Sequence, residues 1–389
     1  MRTVVLKPGR EARVRAGHPW IFSGAVATGL DDAEPGELVR VQTASGGYLA
    51  TGYCNPRTTI AVRVLTLADE AIDAAFVGRR VDQALVLRST TLPPALAAFR
   101  VVNGEGDRLP GVVVDRYGDF LVCQFLTAGA ARLASIVVSA LRERLAPCGI
   151  FERSEGAVRI EEGLSSKQGV LAGEDPPSCL TIEEAGDRFL VDVVHGQKTG
   201  FFLDQRESRA RVRELAPGRR VLNVFAYSGA FAIAAARAGA AEVVSVDTSR
   251  PALALAEAAW AANGLSPAAG RFVVDDVFEF LRGAHEQYDL VLVDPPPFVR
   301  RRRDLAAGLR GYKDVNLHAV RRLAPGGWLL TSSCSQHVSW TAFRDVVAAA
   351  AADAGRSATL VAEAGQPSDH PVALAHPEGA YLKVLLLRA

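Results

Sequence analysis

The sequence predicts an α/β protein whose C-terminal half is a doubly wound sheet of seven strands, preceded by a small β-barrel and a central α+β domain. Three observations predict it. From about residue 221, apolar β-rich runs alternate with Ala-rich runs of helical period, the rhythm of a parallel sheet covered by helices on both faces. The last two apolar runs are joined by a Pro-rich loop too short for a helix, so they pair antiparallel. The opening stretch is made of short alternating segments punctuated by Gly and Pro, as in a small barrel.

Taken in order, PGELVRVQT, GGYLATGYC and TTIAVRVLT supply the barrel of residues 1–68. Residues 69–185 hold a helix (AIDAAFVGRRVDQALVLR), a hairpin-like pair (GVVVDRYGDFLVCQFL), a second helix (ARLASIVVSALRERL) and further strands. The polar stretch LAGEDPPS reads as a loop, and the last domain, 186–389, is placed beyond it. Its elements are VLNVF, then the helix SGAFAIAAARAG; EVVSVD, then RPALALAEAAWAAN; RFVVDD, then VFEFLRGA; and YDLVLVD. A basic loop, a helix near Lys313 to Arg322, the strand WLLTSSC, a helix from about Thr341 to Ala354, and the runs TLVAEAG and YLKVLLLRA complete it. Seven strands ending in such a hairpin resemble the class I methyltransferase sheet.

Bulk composition narrows the class. A chain of 389 residues exceeds what one core organises, so several domains are expected. With 49% hydrophobic and 22% charged residues, and no apolar run near the ~18–20 residues that span a bilayer, a soluble protein is expected, with no membrane partner. MRTVVLKPGREARVR carries no export signal, and five scattered cysteines fit neither a disulfide framework nor a metal site, so a reducing cytoplasm and no metal are expected. A net charge of +1 does not by itself mark a nucleic-acid binder. Local charge does more: Arg300, Arg301, Arg302 and Arg303 are unbroken, although such runs are usually solvated loops.

The first glycine-bearing turn reads N-V-F-A-Y-S-G-A-F from Asn223, without the glycine triplet that lets backbone N–H groups approach a pyrophosphate. An adenosyl ligand without phosphates tolerates side chains there, and Phe225, Tyr227 and Gly229 are the candidates to line it. It still needs an acid closing the second strand for the ribose hydroxyls, and Asp247 stands about 20 residues beyond the turn. Asp276 ends the next strand, where a carboxylate could accept from an adenine amine. S-adenosylmethionine fits, because its positive sulfonium and amino group favour a carboxylate-lined pocket. The plain alternative is that acids at strand ends are helix N-caps.

The fourth strand ends D-P-P-P-F, a stiff turn that holds Asp294 at the open edge of the sheet. Pro295, Pro296 and Phe298 would then face a planar substrate, and D-P-P-x-F resembles the turn with which many methyltransferases grip an exocyclic amine of a base. Cys334, in S-S-C-S at the end of the fifth strand, decides between target atoms. Carbon 5 of a pyrimidine is not nucleophilic until something adds at carbon 6, and a thiolate is the most suitable side chain. Cys54, Cys123, Cys148 and Cys179 read as ordinary small apolar residues.

The chain as a whole resembles the bacterial 23S ribosomal RNA cytosine-5 methyltransferases that carry an N-terminal PUA domain, a central α+β domain and a C-terminal class I methyltransferase domain. LKPGREARVRAGHPWIFSGAV, VNGEGDRLPGVVVDRYGDFL, GQKTGFFLDQRESR, NVFAYSGAFAIAAARAGAAEVVSVD, DPPPF, RGYKDVNLHAV, SSCSQH and DHPV…PEGAYLK carry the resemblance. It implies methyl transfer from S-adenosylmethionine to cytosine carbon 5 with Cys334 as nucleophile, and Asp294 holding the ring near N3 and N4, on 23S ribosomal RNA as partner. GQKTGFFLDQRESR resembles the segment that closes over the methionine end of the cofactor, which makes Gln205 and Arg206 candidates for its carboxylate, with Lys198 and Phe202 nearby. The PUA-like barrel and Arg300, Arg301 and Arg302 would contact phosphates. Where some RNA cytosine methyltransferases place a second cysteine, D-P-P-P-F has none. A guanine (N2 or N7) methyltransferase of ribosomal RNA and a non-catalytic RNA-binding assembly factor are the rival readings, and a homodimer is left open.

Overall fold

The computed structural model describes residues 1–283 and 285–389, and gathers them into two compact units. The first comprises Met1–Leu180, Val193–Thr199 and Ser368–Gly379; the second comprises Thr181–Asp192, Gly200–Pro367 and Ala380–Ala389.

The first unit holds two sheets. The barrel sheet has six strands in the order Trp20–Phe22, Ile60–Thr66, Tyr48–Cys54, Leu38–Gln42, Arg2–Leu6 and Val26–Thr28. Its alternating residues bury Val4, Leu6, Val39, Val41 and Val62 completely. The second sheet runs Lys167–Gly173, Gly149–Ser154, Phe120–Phe125, Val112–Tyr117 and Ala98–Asn103, with two long helices against it. Each helix begins where a polar side chain captures a free N–H: Asp73 accepts from Phe76 N at 2.9 Å and Thr127 from Ala130 N at 3.3 Å.

Two segments of this unit come from far along the chain. Asp369 is wholly buried; its Oδ2 accepts from Arg100 N at 2.9 Å, its carbonyl from Arg88 Nη2 at 2.7 Å, and Asn103 Nδ2 donates to Pro371 O at 3.0 Å. The long connection between the last two strands is therefore a structural return to the first unit, a role its Pro-rich composition does not disclose.

The second unit is built on a seven-stranded sheet: β1 (Arg220–Val224), β2 (Glu242–Asp247), β3 (Gly270–Val274), β4 (Tyr288–Val293), β5 (Leu323–Ser333), β6 (Thr359–Ala364) and β7 (Lys383–Arg388). Its order is β3-β2-β1-β4-β5-β7-β6, with β7 antiparallel to both neighbours. Helices α1 (Arg206–Leu215), α2 (Ala230–Arg237), α3 (Arg250–Ala262), α4 (Val277–Gly283), α5 (Leu305–Arg321) and α6 (Trp340–Asp353) complete the doubly wound fold that the strand rhythm predicts. Both faces of the central strands are covered: Leu222, Val224, Val291 and Val293 pack into one core, and Val221, Leu290 and Leu292 into the other. Each such side chain contributes about 1.5–3 kcal/mol relative to exposure.

Three boundaries differ from the sequence reading. The 185/186 division falls in the turn of a hairpin, Leu180–Glu184 with Asp187–Val191, whose Ala185 and Gly186 both have positive φ. The chain from Thr181 to Asp192 belongs to the second unit, so the division cuts a hydrogen-bonded pair. Helix α5 begins at Leu305, well before Lys313. Strand β5 begins at Leu323 rather than Trp328, because an irregular register between Tyr288 and Leu290 lets extra chain pair with β4.

Candidate active site

The open edge of the sheet is where β1, β2, β4 and β5 end. Beyond β1 the chain reverses through Phe225, Tyr227 and Gly229, whose φ values are 58°, 47° and 73°. Two aromatic residues in the left-handed region cost about 1–3 kcal/mol each, a strain that persists only where surrounding contacts impose it. Here Tyr227 N donates to Asp247 Oδ2 at 2.9 Å and Ser249 N to Asp247 Oδ1 at 2.8 Å, so one carboxylate ties the ends of β1 and β2 together. The Tyr227 hydroxyl donates to Gly200 O at 3.3 Å, and its ring meets Phe202 edge-on with centroids 5.3 Å apart. Gly229 is required twice over, by its φ and because a Cβ there would lie 2.7 Å from Ala256 Cβ.

The strand-end acids have different local duties. Asp247 is half-buried and does not cap α3, because Ser249 does, accepting from Ala252 N at 3.3 Å. Asp276 is exposed and its Oδ1 accepts from Phe278 N at 2.9 Å and Glu279 N at 3.1 Å, the plain N-cap arrangement at α4.

The parallel register pairs Val293 of β4 with Thr331 of β5, which puts Asp294 beside Ser332 and carries Cys334 to the same edge two residues later. Asp294 Oδ1 accepts from Gln205 Nε2 at 2.8 Å and from the Ser332 hydroxyl. Gln205 is itself set by Ser208, whose hydroxyl donates to its Oε1 at 2.7 Å. Cys334 is half-buried, with Sγ 3.9 Å from the carbonyl oxygen of Pro295. The serines around it are not spare room for a ligand: Ser332, Ser333 and Ser335 are wholly buried, and Ser335 Oγ meets the Tyr312 hydroxyl at 2.9 Å and accepts from Val299 N at 3.2 Å. The other cysteines differ. Burial raises Cys54 to about 11 and pushes Cys123 higher, Cys148 is exposed and Cys179 half-buried.

This donor set suits a cationic nucleoside better than a dinucleotide. Carboxylates close successive strands, and side chains stand in the turn where a pyrophosphate needs bare backbone. Among the described residues no group of three or more His, Cys, Asp or Glu could hold a metal, and no helix is long and apolar enough to cross a membrane. Residues 164–388 match the family described as S-adenosylmethionine-dependent methyltransferase. The chain belongs to that family.

Residues 4–67 of this methyltransferase match a PUA-like domain. It is 43% identical over 385 residues to the ribosomal RNA large subunit methyltransferase I of Escherichia coli O139:H28, covering 98% of this chain and 97% of that one. The Klebsiella pneumoniae protein of the same name is 44% identical over 98% of this chain and 96% of its own. In fold it resembles a Streptococcus mutans protein described as a candidate S-adenosylmethionine-dependent methyltransferase, with TM-score 0.86, 24% identity and both chains covered completely. A structure described as a candidate methyltransferase complexed with SAH matches it with TM-score 0.87 and 24% identity over the whole of both chains.

The remaining sequence-derived candidates of the methyltransferase fall into three settings. Pro295 is buried and Pro296 exposed at the D-P-P-P-F turn. Phe298 is half-buried and turns into an aromatic cluster, 4.8 Å from Tyr312, 6.0 Å from Phe278 and 6.3 Å from Phe225, rather than standing out toward a ligand. Arg300, Arg301 and Arg302 are exposed. Arg206 Nε lies 3.4 Å from Glu184 Oε2, and Glu184 is held bidentately by the buried Arg209 at 2.7 Å on each oxygen. Gln205 already spends its amide on Asp294 and Ser208, so the structure gives it an orienting duty beside the cofactor-carboxylate role expected of it.

Sequence reading misses Ser332, Ser335, Tyr312 and Lys383. Lys383 carries a usable signal, because a lysine opening the apolar run KVLLLR is a charge entering a covered strand.

Proposed function

We propose that the methyltransferase transfers the methyl group of S-adenosylmethionine to carbon 5 of a cytosine in 23S ribosomal RNA, through a covalent bond between Cys334 and carbon 6. One observation carries the reading: a half-buried thiol stands at the end of β5, 3.9 Å from the carbonyl of the D-P-P-P-F turn that ends β4. Methylation of a guanine nitrogen needs no thiol there. The substrate class is supported by full-length relatives named ribosomal RNA large subunit methyltransferase I, and ribosomal RNA as substrate sets the reaction in the cytoplasm.

In this reading Phe225, Tyr227, Gly229, Asp247 and Asp276 line the nucleoside half of the cofactor, and Gln205, Arg206 and Asp294 its methionine half. The cofactor supplies an electrophilic methyl on a positive sulfur. The Cys334 thiolate adds to carbon 6, forming the Sγ–C6 bond and moving electron density onto carbon 5, while Asp294 holds the ring near N3 and N4, where N3 takes a proton. Carbon 5 takes the methyl group, leaving the sulfur as a neutral thioether; a base then removes the remaining proton of carbon 5, the C5=C6 bond reforms as the thiolate leaves, and N3 gives up its proton. The barrel of residues 1–68 and the run Arg300, Arg301 and Arg302 contact phosphates while the base is turned out of its stack, with the domain of residues 69–185 between barrel and methyltransferase domain in sequence.

The test is direct. Undermethylated ribosomal RNA incubated with labelled cofactor and digested to nucleosides is expected to yield labelled 5-methylcytidine. Labelled methylguanosine as the sole product overturns the cytosine reading, and absence of cofactor binding in calorimetry overturns catalysis altogether.

A further inference from the structure

Lys383 opens β7 and is 2% exposed, an unusual place for an ammonium group. The antiparallel register pairs it with Ser333, the residue before Cys334. Its Nζ donates to Ser335 O and to Tyr381 O, both at 2.8 Å, so the amine grips the chain on the far side of the cysteine as well. Two carbonyl groups supply only partial charge, and among the described residues no carboxylate pairs with it. A buried cation without an anion is costly, and the titratable neighbour that favours the charged form of Lys383 is Cys334.

We propose that Lys383 is a positioning residue for the methyl transfer, holding its ammonium beside Cys334 so that the thiol ionises as one half of an ion pair before the base arrives. The inference rests on the reading of Cys334 as nucleophile. No atom is transferred to substrate by Lys383; the thiol proton goes to solvent and the ammonium keeps its own.

The surroundings agree with this. Burial pushes Lys383 down to about 8, while the Cys334 thiolate acts in the opposite direction, so the amine remains mostly charged at neutral pH. Three other titratable groups near the pair have partners of their own. The Tyr381 hydroxyl donates to Asp204 Oδ2 at 2.7 Å, and Tyr312 of α5, raised by burial, bonds to Ser335. Asp294, at the end of β4, is held by Gln205 and Ser332, and its negative charge would oppose a thiolate without a cation at hand. An unperturbed thiol near pKa 8.5 is only a few per cent thiolate at pH 7, and each unit of lowering gives about tenfold more. Weaker intrinsic nucleophilicity takes back part of that, leaving roughly threefold in rate per unit.

The test uses the full-length protein without RNA. Alkylation of Cys334 by iodoacetamide is followed by peptide mass spectrometry against pH, in the wild type and in Lys383→Met, with cofactor binding by calorimetry as the check on folding. The expected result is a rise of about one unit or more in the midpoint for Cys334, about tenfold less thiolate at pH 7. An unchanged midpoint overturns the role of Lys383. Should Lys383→Met not fold, the reciprocal measurement decides: with five lysines in the chain, carbon-13 labelled lysine resolves the Lys383 titration. Its midpoint is expected to fall in Cys334→Ser, and an identical midpoint overturns the proposal. Turnover surviving in Cys334→Ser overturns instead the reading of Cys334 as nucleophile, whichever way these midpoints fall.

Discussion

Asp294 is fixed on one oxygen by two donors from different elements, the Gln205 amide before α1 and the Ser332 hydroxyl on β5. Such a carboxylate is held in one orientation, and in the proposed reaction that orientation is worth much of a barrier: a 1 Å misplacement costs about 10²-fold in rate. Ser332→Ala removes a wholly buried donor and is expected to lower single-turnover methyl transfer by about 10- to 100-fold, with a stability loss of about 1–3 kcal/mol in urea titration. Retained turnover in that variant would show that the Ser332 hydroxyl is not needed to orient the carboxylate. The placement of Asp294 and Cys334 at neighbouring strand ends was legible in sequence because strand ends and a proline turn are local patterns. Ser332, Tyr312 and Lys383 were not, because their importance depends on which strand lies alongside which.

At the scale of elements, the turn after β1 and helix α5 show how tertiary contacts override local rules. The turn adopts left-handed backbone at Phe225 and Tyr227, neither of them glycine, where the Asp247 carboxylate accepts from the Tyr227 N–H and the Gly200 carbonyl from its hydroxyl. Gly229→Ala adds a Cβ 2.7 Å from Ala256 at a φ of 73°. It is expected to cost about 1–3 kcal/mol, read as a fall of several degrees in Tm, and to weaken S-adenosylmethionine binding in calorimetry. Helix α5 starts earlier than the helix near Lys313 expected from sequence, and its first turns hold Gly308 and Gly311, each glycine costing about 1 kcal/mol in a helix interior. The structure gives the reason for both. A Cβ at Gly308 would lie 2.2 Å from Val299 Cγ2, and one at Gly311 3.3 Å from the Phe298 ring. The glycines let the D-P-P-P-F turn pack against the helix, which turns Phe298 into the core.

Across the whole molecule, the seven strands were legible from periodicity because parallel strands covered on both faces read as continuous apolar runs, whereas their order across the sheet came only with the resemblance to the class I methyltransferase sheet. What composition could not reveal is that the segments 193–199 and 368–379 fold with the first unit, since a return of chain leaves no local periodicity. Net charge is only +1, so in the proposed function local clusters supply the RNA affinity. Replacing Arg300, Arg301 and Arg302 together by alanine is expected to leave cofactor binding intact and to reduce the slope of log affinity against log salt by about 2–3, at ~0.7–0.9 per phosphate contact. An unchanged slope would assign these exposed arginines to solvent. The central claim is the Cys334–carbon 6 bond, and the most direct measurement is trapping with ribosomal RNA containing 5-fluorocytosine, whose fluorine cannot leave as a proton does. The expected result is a stable protein–RNA adduct, dependent on S-adenosylmethionine, that maps to the Cys334 peptide and disappears in Cys334→Ser; an adduct of equal yield in that variant, or one mapping to another residue, would contradict that bond.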